Sequence, residues 1–197
     1  MAKIEDGAGK GFIMKIDSQQ RALVQADTNT EEHNISHEFG KSFVINSADT
    51  ANTLTLATGN TYNFLFLQNG SSDDQINIQD IRVTVDTVGI VALIVRNSTL
   101  GSVSANNATT PRNLNFGSQN AADGTFHNWD ETGTTGIGGL TLGTVLESHI
   151  LGVGSTVFLY DAALLISDSN NIVLRLVNGT GGNVEAAATI RFYYEST

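Results

Sequence analysis

The sequence predicts an all-β protein, a two-sheet β-sandwich with an extended N-terminal arm, and three observations support this fold class. Short apolar runs with the alternation typical of strands recur along the chain, separated by turn residues. The composition is rich in Thr, Asn, Ser and Gly, which favour strands and turns. Helix signals are poor, because Gly and β-branched residues interrupt most windows. Only residues 144–151 are predicted to form a short helical turn.

The arm is predicted to comprise residues 1–41, which contain all four lysines of the chain. This segment has five basic and seven acidic residues, a net charge of −2, so residues 42–197 hold −8 of the total of −10. Phe12, Met14 and Ile16 lie at alternate positions, and so do Ala22, Val24 and Ala26. This pattern predicts a β-hairpin around residues 17–20.

The first strands of the sandwich are predicted at residues 42–46, 53–56 and 61–68. Residues 61–68 are aromatic-rich and apolar on both faces towards their end, which is typical of a central strand. The apolar residues of the next strand change parity along it: Ile76 and Ile78, then Ile81, Val83 and Val85. A strand has a side-chain period of two, so this change predicts a β-bulge or bend near Gln79 and Asp80.

Further strands are predicted in the C-terminal part, at residues 90–95, 112–116, 156–160, 163–166, 172–176 and 188–194. The last of them alternates cleanly, with inward residues Ala188, Ile190, Phe192 and Tyr194. With residues 156–160 and 163–166 taken together as one strand interrupted at Asp161, the total is about eight or nine short strands, and two packed sheets are the economical way to bury them.

Residues 118–140 are predicted to form a long Gly-rich loop, and long loops inside compact domains are usually functional. Phe126, His127 and Trp129 are the candidate contact residues of this exposed loop. Trp129 could stack on a sugar or anchor a protein contact, because aromatic residues dominate binding hot spots. The alternative is that Trp129 folds back onto an open end of the sandwich, and the sequence leaves both open.

No catalytic, metal-binding or cofactor-binding residues are predicted. His33 and His37 have i,i+4 spacing, but Asn34 stands where a zincin needs Glu, so we interpret the segment as a solvated polar linker. The chain has no Cys, which excludes disulfides, thiolate zinc sites and cysteine nucleophiles. A glycan hydrolase on this fold would need a paired-carboxylate cleft that the sequence does not show.

Composition also limits the partners of the protein. A net charge of −10 argues against nucleic-acid binding, which requires a basic face. No stretch approaches the roughly 20 apolar residues of a membrane helix. The first residues lack the apolar core of a signal peptide, so we expect neither a membrane nor a secretory location.

A family resemblance is visible in residues 4–12 (IEDGAGKGF), followed by residues 15–17 and 21–23. These segments resemble the arm of a group of small virion proteins of tailed bacteriophages. Residues 62–67, the turn at Arg96 and Asn97, and residues 113–116 extend the resemblance into the sandwich. The chain is most similar to the jelly-roll cement (decoration) proteins of phage capsids. The resemblance implies a jelly-roll sandwich on the capsid surface of a virion assembled in the host cytoplasm.

The partners implied by this resemblance are the major capsid protein and further copies of the chain, as a homotrimer. From the charge difference between arm and sandwich we predict that the arm docks on the capsid. The candidate docking residues are Lys3, Lys10, Phe12, Lys15 and Arg21. The alternative is a carbohydrate- or receptor-binding module of a fibre or tip protein, which would use Trp129 and residues 118–140.

Overall fold

The structure is a computed structural model that describes residues 40–47, 53–101, 108–129, 137–160 and 163–196, together with the backbone of four short strands near the N-terminus. The chain divides into two compact units, Met1–Thr30 and Glu31–Thr197. Every regular element in the described residues is a β-strand, which confirms the predicted all-β class.

In the first unit, the described backbone forms two antiparallel strand pairs. Strand β1 (Lys3–Glu5) pairs with β2 (Gly11–Ile13). Strand β3 (Lys15–Ile16) pairs with β4 (Ala22–Leu23), on either side of residues 17–20. The side chains of these strands and the segments that join them lie outside the described residues.

The second unit contains the remaining strands. In its first half these are β5 (Ser42–Asn46), β6 (Leu54–Leu56), β7 (Thr61–Asn69), β8 (Asp74–Val85), β9 (Ile90–Arg96), β10 (Thr99–Leu100) and β11 (Arg112–Asn113). In its second half they are β12 (Gly124–Asn128), β13 (Leu140–Thr141), β14 (Thr144–Ile150), β15 (Gly154–Leu159), β16 (Leu165–Ile166), β17 (Asn171–Asn178) and β18 (Val184–Ser196).

Within the described residues, most of these strands form two antiparallel sheets with jelly-roll connectivity. One sheet has the order β11-β5-β18-β8-β15, with β6 beside β18 and β16 beside β8. The other has the order β12-β7-β17-β9-β14. The chain crosses repeatedly between the two sheets. Each sheet therefore pairs a strand from the start of the unit with one from its end, β5 with β18 and β7 with β17. This double Greek-key arrangement is the jelly roll.

The core lies between the two sheets. Phe126 on the five-stranded sheet stacks on Phe192 of the other sheet, with ring centroids 5.7 Å apart. Phe43 stacks on the same Phe192 ring at 5.7 Å, and Tyr194 meets it edge-on at 6.0 Å. The inward residues predicted for the last strand, from Ala188 to Tyr194, are buried as expected. The predicted two-sheet sandwich is therefore confirmed.

The predicted bulge in β8 is also confirmed. Arg191 of β18 lies opposite Asp80, whereas the next residue, Phe192, lies opposite Ile78, so Gln79 is the extra residue. The bulge lets Ile78 and Ile81 both face the core although their spacing is odd. The Tyr160 amide donates a 3.1 Å hydrogen bond to the Gln79 carbonyl.

Two local predictions are wrong. Residues 144–151 do not form a helical turn, because Thr144–Ile150 is β14 and pairs with β9. A register shift between Val145 and Glu147 interrupts the alternation of this strand, which is why its apolar spacing resembles that of a helix. The strand predicted at residues 112–116 ends at Asn113. There the Asn113 side chain accepts a hydrogen bond from the Asn115 amide and begins a turn.

Candidate functional site

The residues predicted to dock on a capsid belong to the first unit. Lys3 lies in β1, Phe12 in β2 and Lys15 in β3, whereas Lys10 and Arg21 lie outside the described residues. The side chains of all five are outside the described part of the chain, and so are the two histidines of the polar linker. Their function in docking stays a prediction.

Phe126, His127 and Trp129 do not form an exposed contact loop, and this prediction is wrong. Phe126 and His127 belong to β12, which pairs with β7. Trp129 extends the pairing, because its amide donates to the Phe64 carbonyl over 3.1 Å. All three side chains are buried, and Trp129 is only 5% exposed. A continuous Gly-rich loop over residues 118–140 is excluded by this strand.

Trp129 is instead part of the core. Its ring stacks on Tyr62 with centroids 4.5 Å apart and meets Phe64 edge-on at 5.5 Å. Further along, Ile137 is fully buried and is joined to Asn63 by two hydrogen bonds, of 2.9 and 3.0 Å. Trp129 therefore folds back onto the sandwich, which was the second of the two interpretations left open by the sequence.

The described residues do not bring together three or more His, Asp or Glu side chains that could hold a metal ion. Nor do they include a helix long and apolar enough to cross a membrane. A polar cluster lies between β14 and the residue that follows β15. His149 Nε2 is 2.8 Å from Glu147 Oε2, and the Tyr160 hydroxyl donates to the same oxygen over 3.0 Å.

This cluster bridges the edge strands of the two sheets. The His149 ring lies over Phe158, with centroids 4.4 Å apart, so a residue of β14 meets one of β15. Burial and the hydrogen bond to Glu147 raise the pKa of Tyr160, so its hydroxyl keeps its proton and remains a donor. The arrangement is a hydrogen-bonded closure of the sandwich on this side.

An exposed apolar surface surrounds the same cluster. Of the exposed large apolar side chains in the described residues, six lie on β14, on β15 and on the turn between them. They are Val145, Leu146, Ile150, Val153, Val157 and Leu159, and we call them the apolar edge. Ile150 is 82% exposed, Leu159 69% and Val153 66%. Strands β14 and β15 are the last strands of their sheets in the strand order.

A second polar cluster joins Lys41, just before β5, to Asp74 at the start of β8 and Ser196 at the end of β18. Lys41 Nζ donates to both carboxylate oxygens of Asp74, over 2.8 and 3.0 Å. The Ser196 hydroxyl donates to Asp74 Oδ1 over 2.8 Å. Lys41 and Asp74 border a cleft of about 240 Å³ that Phe43 and Tyr194 also line. The hydrogen bond from Lys41 lowers the pKa of Asp74 against the opposing effect of burial.

Asp74→Asn is expected to reduce stability at neutral pH and to matter less in acid. Because the native state favours the carboxylate, its contribution is present above the unfolded-state pKa of about 3.9 and is lost as the pH falls through the lowered native value. The Lys41 side chain is 35% exposed, so the loss is up to about 1 kcal/mol. Urea unfolding at neutral pH and near pH 2.5 measures the difference. A difference that persists or grows on acidification would contradict this account.

Comparison with known proteins adds little to this geometry. No protein-family model matches the chain, and no curated protein matches it. Among solved structures, the chain is similar to "Structure of infectious bursal disease virus Gt strain", with 13% sequence identity and a TM-score of 0.22. The match covers 94% of this chain and 47% of the other, so the chain spans about half the length of that structure.

Proposed function

We propose that the chain is a virion structural protein without enzymatic activity, a cement protein of a tailed bacteriophage. In this proposal it binds the outer surface of the capsid and stabilises the contacts between capsomers. The major capsid protein is its partner, and several copies act together, as a homotrimer. The observation that carries the proposal is the division of the chain into two compact units with different charge.

The first unit, Met1–Thr30, has four basic and four acidic residues and is therefore neutral. The second unit, Glu31–Thr197, carries the whole net charge of −10. A strongly charged surface keeps a protein soluble through self-repulsion. The neutral unit, with its short strand pairs, is the part suited to make contact with a shell, for example by adding strands to the edge of a capsid subunit.

The second unit is suited to act as the rigid body of such a protein. Its described core extends from Phe43 to Tyr194 and joins both sheets. It therefore keeps its fold while the arm is engaged elsewhere. A cement protein requires stable attachment rather than catalysis. Three linked copies convert weak contacts into strong avidity, because the second and third contacts form at a high effective concentration. A closed ring also stops further association.

The proposal is tested by sedimentation of the full chain with capsids of the source phage from which this protein has been removed. We expect the protein to pellet with the capsids, to saturate at a fixed ratio to the capsid protein, and to raise the temperature at which the capsids rupture. Bovine serum albumin at equal concentration is the control for trapping. Failure to pellet at any concentration below the onset of aggregation would contradict a cement function.

A further inference from the structure

We propose that copies of this protein associate with one another through the apolar edge, so that β14 and β15 of one copy face the same strands of the next. The inference deepens the proposed multivalent attachment, on which it rests, by naming the contact surface between copies. Three features of the described residues support it. The edge strands are unprotected, the edge carries few like charges that would repel a second copy, and its polar cluster tolerates burial.

Strand β15 and the half of β14 beyond its bulge lack the usual protection against pairing. Natural edge strands carry Lys, Pro or inward charges that prevent contact with another chain, and an exposed apolar edge is an association site. No Lys, Arg or Pro occurs from Thr144 to Tyr160. The six residues of β15 and the Glu147–Ile150 half of β14, beyond the bulge at Leu146, offer an uninterrupted edge. Instead of protective charged residues or prolines, the exposed side chains here include Ile150, Val153 and Leu159.

The charge distribution selects a second copy as the occupant of this surface. Two copies of a chain with a net charge of −10 repel each other over most of their surface. Residues 144–160 contain a single acidic residue, Glu147. On β8, the strand paired with β15, exposed Arg82 lies opposite Val157. The carboxylate opposite Leu159, Asp80, is buried and accepts a hydrogen bond from Arg191. Copies therefore meet here with little repulsion, whereas a highly charged partner finds no row of opposite charges.

The polar groups at this edge tolerate burial in an interface. The side chains of His149 and Glu147 are 36% and 41% exposed. Burying a carboxylate is costly unless it is hydrogen-bonded, and Glu147 is already bonded by Tyr160 and His149. Beside the edge, a groove of about 410 Å³ is lined by Leu146 and Leu165 together with Arg96 and several polar residues, and a side chain of a neighbouring copy can insert there.

The test compares the mass of the full-length wild-type protein and of Ile150→Glu by sedimentation equilibrium, without capsids. We expect the wild-type protein to be an oligomer. Ile150→Glu should associate about a hundredfold more weakly or worse, because it places like charges against each other in the interface. Leu159→Thr, which removes apolar area without adding charge, should shift the equilibrium in the same direction. Both sites are largely exposed, so circular dichroism should show an unchanged fold.

Phe116→Glu is the matched control. Phe116 is 98% exposed and follows β11, the strand at the other end of the seven-stranded sheet from β15. This substitution should leave the mass unchanged. A second readout is salt: screening of the repulsion between acidic copies should strengthen association. A wild-type monomer, a Phe116→Glu monomer, or association that weakens with salt would overturn the inference.

The same measurements separate this inference from the proposed function. A full chain that is monomeric in solution and on capsids yet sediments with capsids overturns the association through the apolar edge and leaves the cement function standing. A chain that oligomerises in the wild-type form, loses this in Ile150→Glu, and never binds capsids supports the inference and contradicts the proposed function.

Discussion

Deletion of residues 2–30 is expected to abolish capsid binding while leaving the sandwich folded. These residues make up all but the first methionine of the neutral first unit. The described core lies wholly in the second unit. Deletion of residues 2–30 therefore removes no core side chain that the structure describes. The loss of binding should be complete rather than partial, because a multivalent particle contact fails when every copy lacks its attachment site. Sedimentation with capsids measures binding, and calorimetry measures the melting temperature of the truncated chain.

A matched variant tests whether binding depends on the basic side chains of the arm or only on the presence of the arm. Replacing Lys3, Lys10, Lys15 and Arg21 with Gln changes the charge of the first unit from zero to −4 and preserves its length. Binding should weaken if these residues face the shell, while Arg112→Gln in the second unit should have no effect on binding. Truncated protein that still decorates capsids at full occupancy would show that docking does not depend on the arm.

Trp129→Ala is expected to lower the free energy of unfolding by about 3–5 kcal/mol, the usual loss when a large buried aromatic residue is truncated. Trp129 is 5% exposed and is in contact with both Tyr62 and Phe64. Its indole nitrogen has no hydrogen-bond partner among the described residues, so Trp129→Phe removes no hydrogen bond to any of them. The Phe variant should therefore lose only about 1–1.5 kcal/mol. Urea unfolding followed by circular dichroism measures both.

Phe116→Ala is the control for this prediction, because an aromatic residue that is 98% exposed should change stability by no more than about 0.5 kcal/mol. The series also addresses the carbohydrate-binding alternative. A buried indole offers no face to a sugar, so Trp129→Phe should leave any glycan binding unchanged. Glycan binding that disappears in Trp129→Phe at unchanged stability would return the protein to the carbohydrate-binding class.

The parts of the fold that the sequence predicted correctly depend on local alternation. The inward residues of β18 and the bulge at Gln79 are visible in the sequence, because one sheet face is buried and side-chain parity is then strict. Strand β14 was missed because its bulge at Leu146 breaks that parity, and because its apolar residues face outward. An alternation pattern predicts which residues are buried only where another part of the same chain packs against that face of the strand.

The candidate contact residues were misplaced for a different reason. Phe126, His127 and Trp129 stand in a Gly-rich segment that resembles a loop, but they pair with β7 about sixty positions earlier in the chain. Long-range pairing of this kind leaves no local signal beyond a short β-prone run. The apolar edge was missed although a signal existed: residues 144–160 combine Val, Leu and Ile with no Lys, Arg or Pro.

An electron-microscopy map of the particle tests the central claim most directly. We expect density for a two-sheet sandwich on the outer capsid surface, with the first unit of each copy against the shell and the copies grouped about a symmetry axis at β14 and β15. Density for the protein on a tail fibre or tail tip, or its absence from the capsid exterior, would contradict the account.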